Sequence, residues 1–274
     1  VLIYRDKGFV QEIDVFNKNL EHTQYAELLF EEKKVDVFNV MALDTMFQVL
    51  YGYFENDTMV FRMRRYDHKV SIIDTAFVAQ IPKSSIRKRI TSVISEDKSK
   101  VLLYTYDAEE NFYFYIFDNK AKLVIWQQKI RIQDCNPRKD IHEIIMTDNG
   151  NFFLILNTTE EVNDETSPLR LLFFYPGLNS FKNSYLHFNS LVRKDIQIAY
   201  DNANSRIKIV GTYAEKRGKE SKGYYILNRK ISQLADIETI QTIEFNEELE
   251  YELLQGKKKK SNLFDDLWVK ELVH

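Results

Sequence analysis

The sequence predicts an all-β fold built from repeated four-stranded units. Three observations predict it. Two series of turn signals recur with a period near fifty residues, the segments between them are short and rich in Phe, Tyr, Val, Ile and Leu, and helical periodicity is nearly absent before residue 246. The first turn series is Leu43-Asp44-Thr45, Ser95-Glu96-Asp97-Lys98, Thr147-Asp148-Asn149-Gly150 and Tyr200-Asp201-Asn202; measured from the acidic residue, 44→96, 96→148 and 148→201 are steps of 52, 52 and 53. The second is 14–18 (DVFNK), Asp67-His68-Lys69, Asp118-Asn119-Lys120, Pro176-Gly177-Leu178-Asn179 and Asn228-Arg229-Lys230, with steps of 53, 51, 58 and 52. Asp, Asn and Gly at such points supply turn geometry through side-chain bonds to the backbone or through a positive φ. The one long step contains 160–168 (EEVNDETSP), a polar loop insertion.

Strands fill the intervals. Segments 101–106 (VLLYTY), 112–117 (FYFYIF), 152–156 (FFLIL), 171–175 (LLFFY) and 207–210 (IKIV) are apolar on both faces, as a strand between two packed sheets must be. Segments 72–81 and 237–245 alternate more and read as outer, half-exposed strands. The pattern is clearest in 89–130, whose strands are expected at 89–94, 100–107, 111–118 and 123–130. An antiparallel four-stranded unit of about 50 residues, stacked on copies of itself, is a β-propeller blade. The expected organisation is a propeller domain over 1–245, with a partial blade at 1–30 and blades at 37–81, 89–130, 140–190 and 195–245. A C-terminal extension, 246–274, follows as a short helix, a Lys-rich linker and one candidate closing strand, 263–273 (LFDDLWVKELV). The count leaves the ring incomplete unless that last segment donates the missing strand. A first residue of Val, already inside a strand-like stretch, is read as an internal or processed start.

Composition narrows the function classes. Across 274 residues, 38 Lys and Arg against 41 Asp and Glu give a net charge of −3, which provides no global field for nucleic acid or an anionic membrane. A single Cys excludes an intrachain disulfide framework and a Cys-rich metal site. No uncharged apolar run reaches the ~18 residues of a membrane helix. Nucleic acid and a transmembrane segment are therefore not expected.

Chemical motifs are sparse. His142-Glu143-Ile144-Ile145-Met146 begins like the zinc motif H-E-x-x-H, but Met stands where the second His belongs and the segment is a predicted strand. Segment 218–223 (GKESKG) has the outer spacing of a phosphate-binding loop without the Lys-Ser/Thr or the helix that must follow it. No catalytic residue, metal or cofactor is expected. Asp36, Asp140 and Asp195 fall at or near the starts of predicted first strands, where carboxylates at a channel mouth would serve a propeller glycosidase or glycan-binding protein. The two loop insertions are the leading candidates for contacting a partner protein, through Glu160, Glu161, Asp164 and Glu165 in one and Glu215, Lys216, Arg217 and Lys219 in the other.

Ser95-Glu96-Asp97-Lys98 and Thr147-Asp148-Asn149-Gly150 resemble the S-P-D-G type turns of bacterial β-propeller repeat proteins, with Glu for Pro and Lys for Gly in the first. The Phe/Tyr-rich, Cys-poor style, with Gly211-Thr212-Tyr213 before a Lys-rich loop and then Gly223-Tyr224-Tyr225-Ile226, is similar to uncharacterised cell-envelope propellers, some of them accessory parts of outer-membrane secretion complexes. That resemblance implies a periplasmic or envelope location and a non-catalytic role binding another protein within a larger complex. The alternatives are the glycan-directed propeller above and a docking domain of a longer chain.

Overall fold

The computed structural model describes residues 2–8, 10–30, 32, 34–43, 45–87, 90–158, 168–188, 191–216 and 219–246. The expected C-terminal extension beyond 246 lies outside the described residues. The chain forms two compact units, 1–133 and 134–274.

The first unit holds three antiparallel meanders. The first sheet is β1 (Leu2–Asp6), β2 (Gln11–Phe16) and β3 (His22–Glu27). The second is β4 (Asp36–Ala42), β5 (Met46–Glu55), β6 (Thr58–Asp67) and β7 (Ile72–Pro82). The third is β8 (Thr91–Ile94), β9 (Lys100–Tyr106), β10 (Asn111–Asp118) and β11 (Leu123–Arg131). The sheets stack face to face. Ile13, Leu28 and Val35 pack on Phe47, Val49, Tyr51, Tyr53, Val60 and Tyr66 of the second sheet. On that sheet's other face, Met41, Leu50, Phe61 and Ile81 pack on Ile90, Val101, Leu103 and Phe117 of the third. A strand such as β5 is thus apolar at both parities because both of its faces are covered.

The second unit repeats the pattern with β12 (Ile141–Met146), β13 (Phe152–Asn157), β14 (Leu169–Tyr175) and β15 (Ser180–His187) in the fourth sheet and β16 (Val192–Asp201), β17 (Arg206–Ala214) and β18 (Gly223–Lys230) in the fifth. Cross-strand aromatic pairs fix its register. Phe153 meets Phe173 with ring centroids 4.2 Å apart, and Phe152 stacks on Phe174 at 4.5 Å. Odd-numbered residues of β13 and β14 face the fifth sheet, where Ile198, Ile207, Ile209, Tyr225 and Leu227 complete one core.

The turn chemistry works as expected at two turns of the first series, while Asp44 of its first turn lies outside the described residues. Ser95 Oγ donates to Asp97, and Asp97 Oδ1 accepts from the Ser99 amide at 2.8 Å. Thr147 and Asn149 repeat this geometry, the Thr147 hydroxyl donating to Asn149 at 2.6 Å. Lys98 and Gly150, 52 positions apart, both adopt a positive φ (60° and 90°). Lys98 therefore holds the backbone shape of the glycine it replaces.

Three expectations need correction. Asp14 lies inside β2, and the turn is made by Asn17, whose Oδ1 accepts from the amides of Asn19 and Glu21. Asn228-Arg229-Lys230 still belongs to β18; the turn is the 3-10 segment Ile231–Gln233 after it. The single outer strand expected at 237–245 is two strands, β19 (Ile237–Thr239) and β20 (Gln241–Glu244). β19 runs parallel to β15 as a fifth strand of the fourth sheet, and β20 returns to pair with β18 of the fifth. The break falls at Ile240, which is only 2 % exposed, and its burial anchors the crossing. The segment is stitched down by Tyr185 N–H to Asp236 O at 2.7 Å, Ser184 Oγ to Ala235 O at 2.6 Å and Ile240 N–H to His187 O at 3.1 Å.

Ile240→Ala is expected to lower unfolding free energy by about 2–5 kcal/mol in urea titrations, as buried Ile truncations do. Ile237→Ala, at an exposed position of the same segment, is expected to change it by no more than about 0.5 kcal/mol.

Candidate functional site

The innermost strand of a blade carries the positions most often placed at a channel, and three of these strands share a distortion. Register shifts fall between Val37 and Asn39 in β4, Ile141 and Glu143 in β12, and Arg193 and Asp195 in β16. The bulged residues are therefore Phe38, His142 and Lys194, separated by 104 (twice 52) and 52 positions. The residue after the bulge, and its counterpart at the start of β8, is polar in every case: Asn39, Thr91, Glu143 and Asp195, at steps of 52.

The three expected carboxylates occupy different environments. Asp36 is exposed at the start of β4, opposite Gly52. Asp140 is 1 % exposed and closes a turn: its Oδ2 accepts the Asn136 amide at 2.6 Å, and its carbonyl accepts the Asn157 amide at 2.7 Å. Asp195 stands three positions beyond the place equivalent to Asp140, which Val192 fills. Its Oδ2 receives the Thr212 hydroxyl at 3.4 Å, and its carbonyl receives the Tyr225 hydroxyl at 2.6 Å. That last bond requires Gly211, because a Cβ there would overlap both the Asp195 carbonyl and the Tyr225 phenol.

Glu143, one period of 52 before Asp195, is its true counterpart, whereas Asp140 lies 55 before it. It lies opposite Ile155, on the face turned towards the fifth sheet. Asp195 lies opposite Thr212, whose neighbour Tyr213 is on the core-facing side, so Asp195 is on the far face of its own sheet. The two acids do not share a gap. Burial raises the Glu143 carboxyl above its ordinary value. Partial burial, helped by the charge of Arg193, lowers the His142 imidazole. His142 and Glu143 sit on a strand, so the helical face required for zinc ligation is absent.

Of the loop residues, Glu160, Glu161, Asp164, Glu165 and Arg217 lie outside the described residues. Glu215, Lys216 and Lys219 are exposed in the connection between β17 and β18. Lys222 anchors its base, with Nζ 2.5 Å from Glu215 Oε1 and 3.2 Å from Glu244 Oε1, and with its amide donating to Tyr213 O at 2.7 Å.

A further cluster is signalled in the sequence by Arg62 and Arg64, which alternate with the apolar Phe61 and Met63 in β6. Both lie on the face of the second sheet that meets the first. The Arg64 guanidinium lies 5.3 Å from the ring centroids of both Phe30 and Tyr51, which contact each other with centroids 4.6 Å apart. Arg62 Nε donates to the Tyr53 hydroxyl at 3.1 Å. A cleft of about 190 Å³ adjoins the cluster through Leu29 and Phe30 and is lined also by Gln11 and Glu32.

The class this fold defines is a β-propeller: consecutive antiparallel meanders of one period, stacked face to face within each unit. No family model and no curated protein matches the sequence. Among solved structures, the chain is similar to the β-propeller domain of the Trilobed protease from Pyrococcus furiosus (14 % identity, TM-score 0.44, 88 % of this chain and 63 % of that one). It is also similar to a putative 6-phosphogluconolactonase from Bacteroides uniformis (11 %, 0.41, 88 % and 67 %) and to the Pyrococcus horikoshii acylaminoacyl peptidase (8 %, 0.40, 74 % and 33 %). The chain spans less than two thirds of the first and a third of the last.

Because folding raises the Glu143 pKa, its contribution favours the folded state below the unfolded carboxyl value and is lost as pH rises through the folded one. Glu143→Gln is therefore expected to melt higher than the parent at neutral pH, with the gap closing below about pH 4. Thermal melts across pH check this, and a gap independent of pH would refute it.

Proposed function

We propose that this chain is a non-catalytic propeller that binds another protein, as a subunit of a bacterial envelope assembly. The observation that carries the reading is the loop between β17 and β18. Glu215, Lys216 and Lys219 are displayed in solvent, while the loop's base is clamped by Lys222 to Glu215 and to Glu244 of β20. A charged loop on a fixed base loses little conformational freedom when it docks, so more of its contact energy appears as affinity. Its mixed charges suit electrostatic recognition by a complementary protein surface. The envelope assignment rests on the resemblance of the turns and of the aromatic, Cys-poor composition. The glycan-directed alternative draws less support, since Asp140 closes a turn and Glu143 and Asp195 lie on opposite sides of the fifth sheet.

Replacing 216–221 by a short Gly-Ser linker is expected to abolish copurification of the native partner while leaving the melting temperature within a few degrees of the parent. Undiminished copurification would count against this loop as the contact.

A further inference from the structure

The face of the second sheet that meets the first contains an uncompensated buried cation. Arg64 is 5 % exposed. Its hydrogen bonds go to neutral oxygens, Leu29 O at 2.7 Å and Thr75 Oγ1 at 3.3 Å, and no carboxylate forms an ion pair with it among the described residues. The adjoining Phe30 and Tyr51 rings offset part of the cost of desolvating a guanidinium, but they do not neutralise it.

Two buried phenols stand beside it. Tyr51 is 0 % and Tyr66 2 % exposed; the Tyr51 hydroxyl has no hydrogen-bond partner among the described residues, and the Tyr66 hydroxyl has only the Arg64 guanidinium beside it. Native structures rarely leave such groups unmatched, and one unsatisfied buried hydroxyl costs about 1–3 kcal/mol. Burial pushes the Tyr51 hydroxyl up to about 12, with Arg64 opposing and Glu32 reinforcing the shift. Burial also raises Tyr66, opposed by its hydrogen bond with Arg64 and by that residue's charge. Both phenols are therefore neutral donors close to Arg64. Arg62, bonded to Tyr53, adds a second positive charge within the influence of Glu32. A guanidinium and two phenol O–H groups that donate to no acceptor among the described residues form the complement of an oxyanion.

The cleft supplies the approach. Leu29, whose carbonyl holds Arg64, and Phe30, whose ring lies over its guanidinium, both line it. Its volume of about 190 Å³ corresponds to roughly six waters at about 30 Å³ each. Glu32 also lines it, half-buried, with Oε2 shielded from water and unbonded. Glu32 is thus an anion near the cluster that makes no hydrogen bond to it through that oxygen.

We infer that Arg64, Tyr51 and Tyr66 form a binding site for a small oxyanion, a phosphate or carboxylate group, and that Glu32 is the displaceable internal counter-charge that the ligand replaces. The inference is independent of the partner-binding loop, which lies in the other unit.

Two substitutions separate this from a purely structural arginine pin. Tyr51→Phe removes an unsatisfied hydroxyl and is expected to melt at or above the parent temperature, yet to lose the response to anion. Glu32→Gln removes a competing like charge and is expected to tighten anion binding about tenfold, equivalent to about 1.4 kcal/mol. The full 274-residue chain is titrated with inorganic phosphate and, in parallel, with acetate, against chloride at matched ionic strength; binding is read by calorimetry and by dose-dependent thermal stabilisation. Stabilisation by phosphate alone assigns a phosphate site, and stabilisation by both assigns a general oxyanion site. Absence of binding in both the parent and Glu32→Gln, or binding unchanged in Tyr51→Phe, overturns the inference.

Discussion

The structure depends on the covering of both faces of each sheet. A strand such as Phe152–Asn157 has Phe152, Leu154 and Leu156 on one face and Phe153 and Ile155 on the other, and all five apolar side chains are 2 % exposed or less. An isolated meander of that composition would leave one full apolar face in water, at a cost of about 25 cal/mol for each Å². Stacking removes the cost, and the period near 52 residues follows because each unit must present the same pair of faces to its neighbours. Aromatic pairs in register, Phe152 with Phe174 and Phe153 with Phe173, then hold neighbouring strands against slippage, since a slip of one residue would exchange the two faces.

Stacking covers faces but leaves edges, and the chain treats its outer edges in two ways. In the second and third sheets the outermost strands are interrupted: the pairing of β6 with β7 shifts twice, and that of β10 with β11 shifts once. Bulges of this kind twist an edge away from further pairing. In the fourth sheet, β14 and β15 pair without a shift, and that regular edge is covered by β19. The crossing segment therefore both caps an edge and ties the fourth sheet to the fifth.

Polar groups on the inner faces are where the economy of the fold is strained. Two arginines and three tyrosines line the meeting of the first and second sheets, where an all-apolar set would pack with less desolvation. The same face supplies Phe47, Val49 and Val60 to the core, so the polar cluster is built into the packing layer and is not a surface decoration. The Arg64 guanidinium is held in orientation by its bonds to Leu29 O and Thr75 Oγ1 and by the adjoining Phe30 and Tyr51 rings.

Much of the architecture was legible in the chain. Turn residues at a fixed interval, with apolar runs between them, located the strands of the third sheet almost to the residue, since local turn chemistry and two-sided burial are both written in short stretches of sequence. Asn228-Arg229-Lys230 and Asp14 were misleading because Asn and Asp favour turns but are also tolerated in strands whose side chains find partners; Asp14 is paired there with Arg5 and His22. The site was less legible. Asp140 and Asp195 both fall near the starts of expected first strands, yet one closes a turn and the other follows a bulge, and a bulge is invisible until two strands are paired. The sequence by itself determined the repeat, the strand content and the class of fold, because these follow from local periodicity. Only the tertiary structure decided which acids share a face, that residues 237–244 divide between two sheets, and that Arg64 meets two buried phenols, because each of these depends on side chains brought together from strands far apart along the chain.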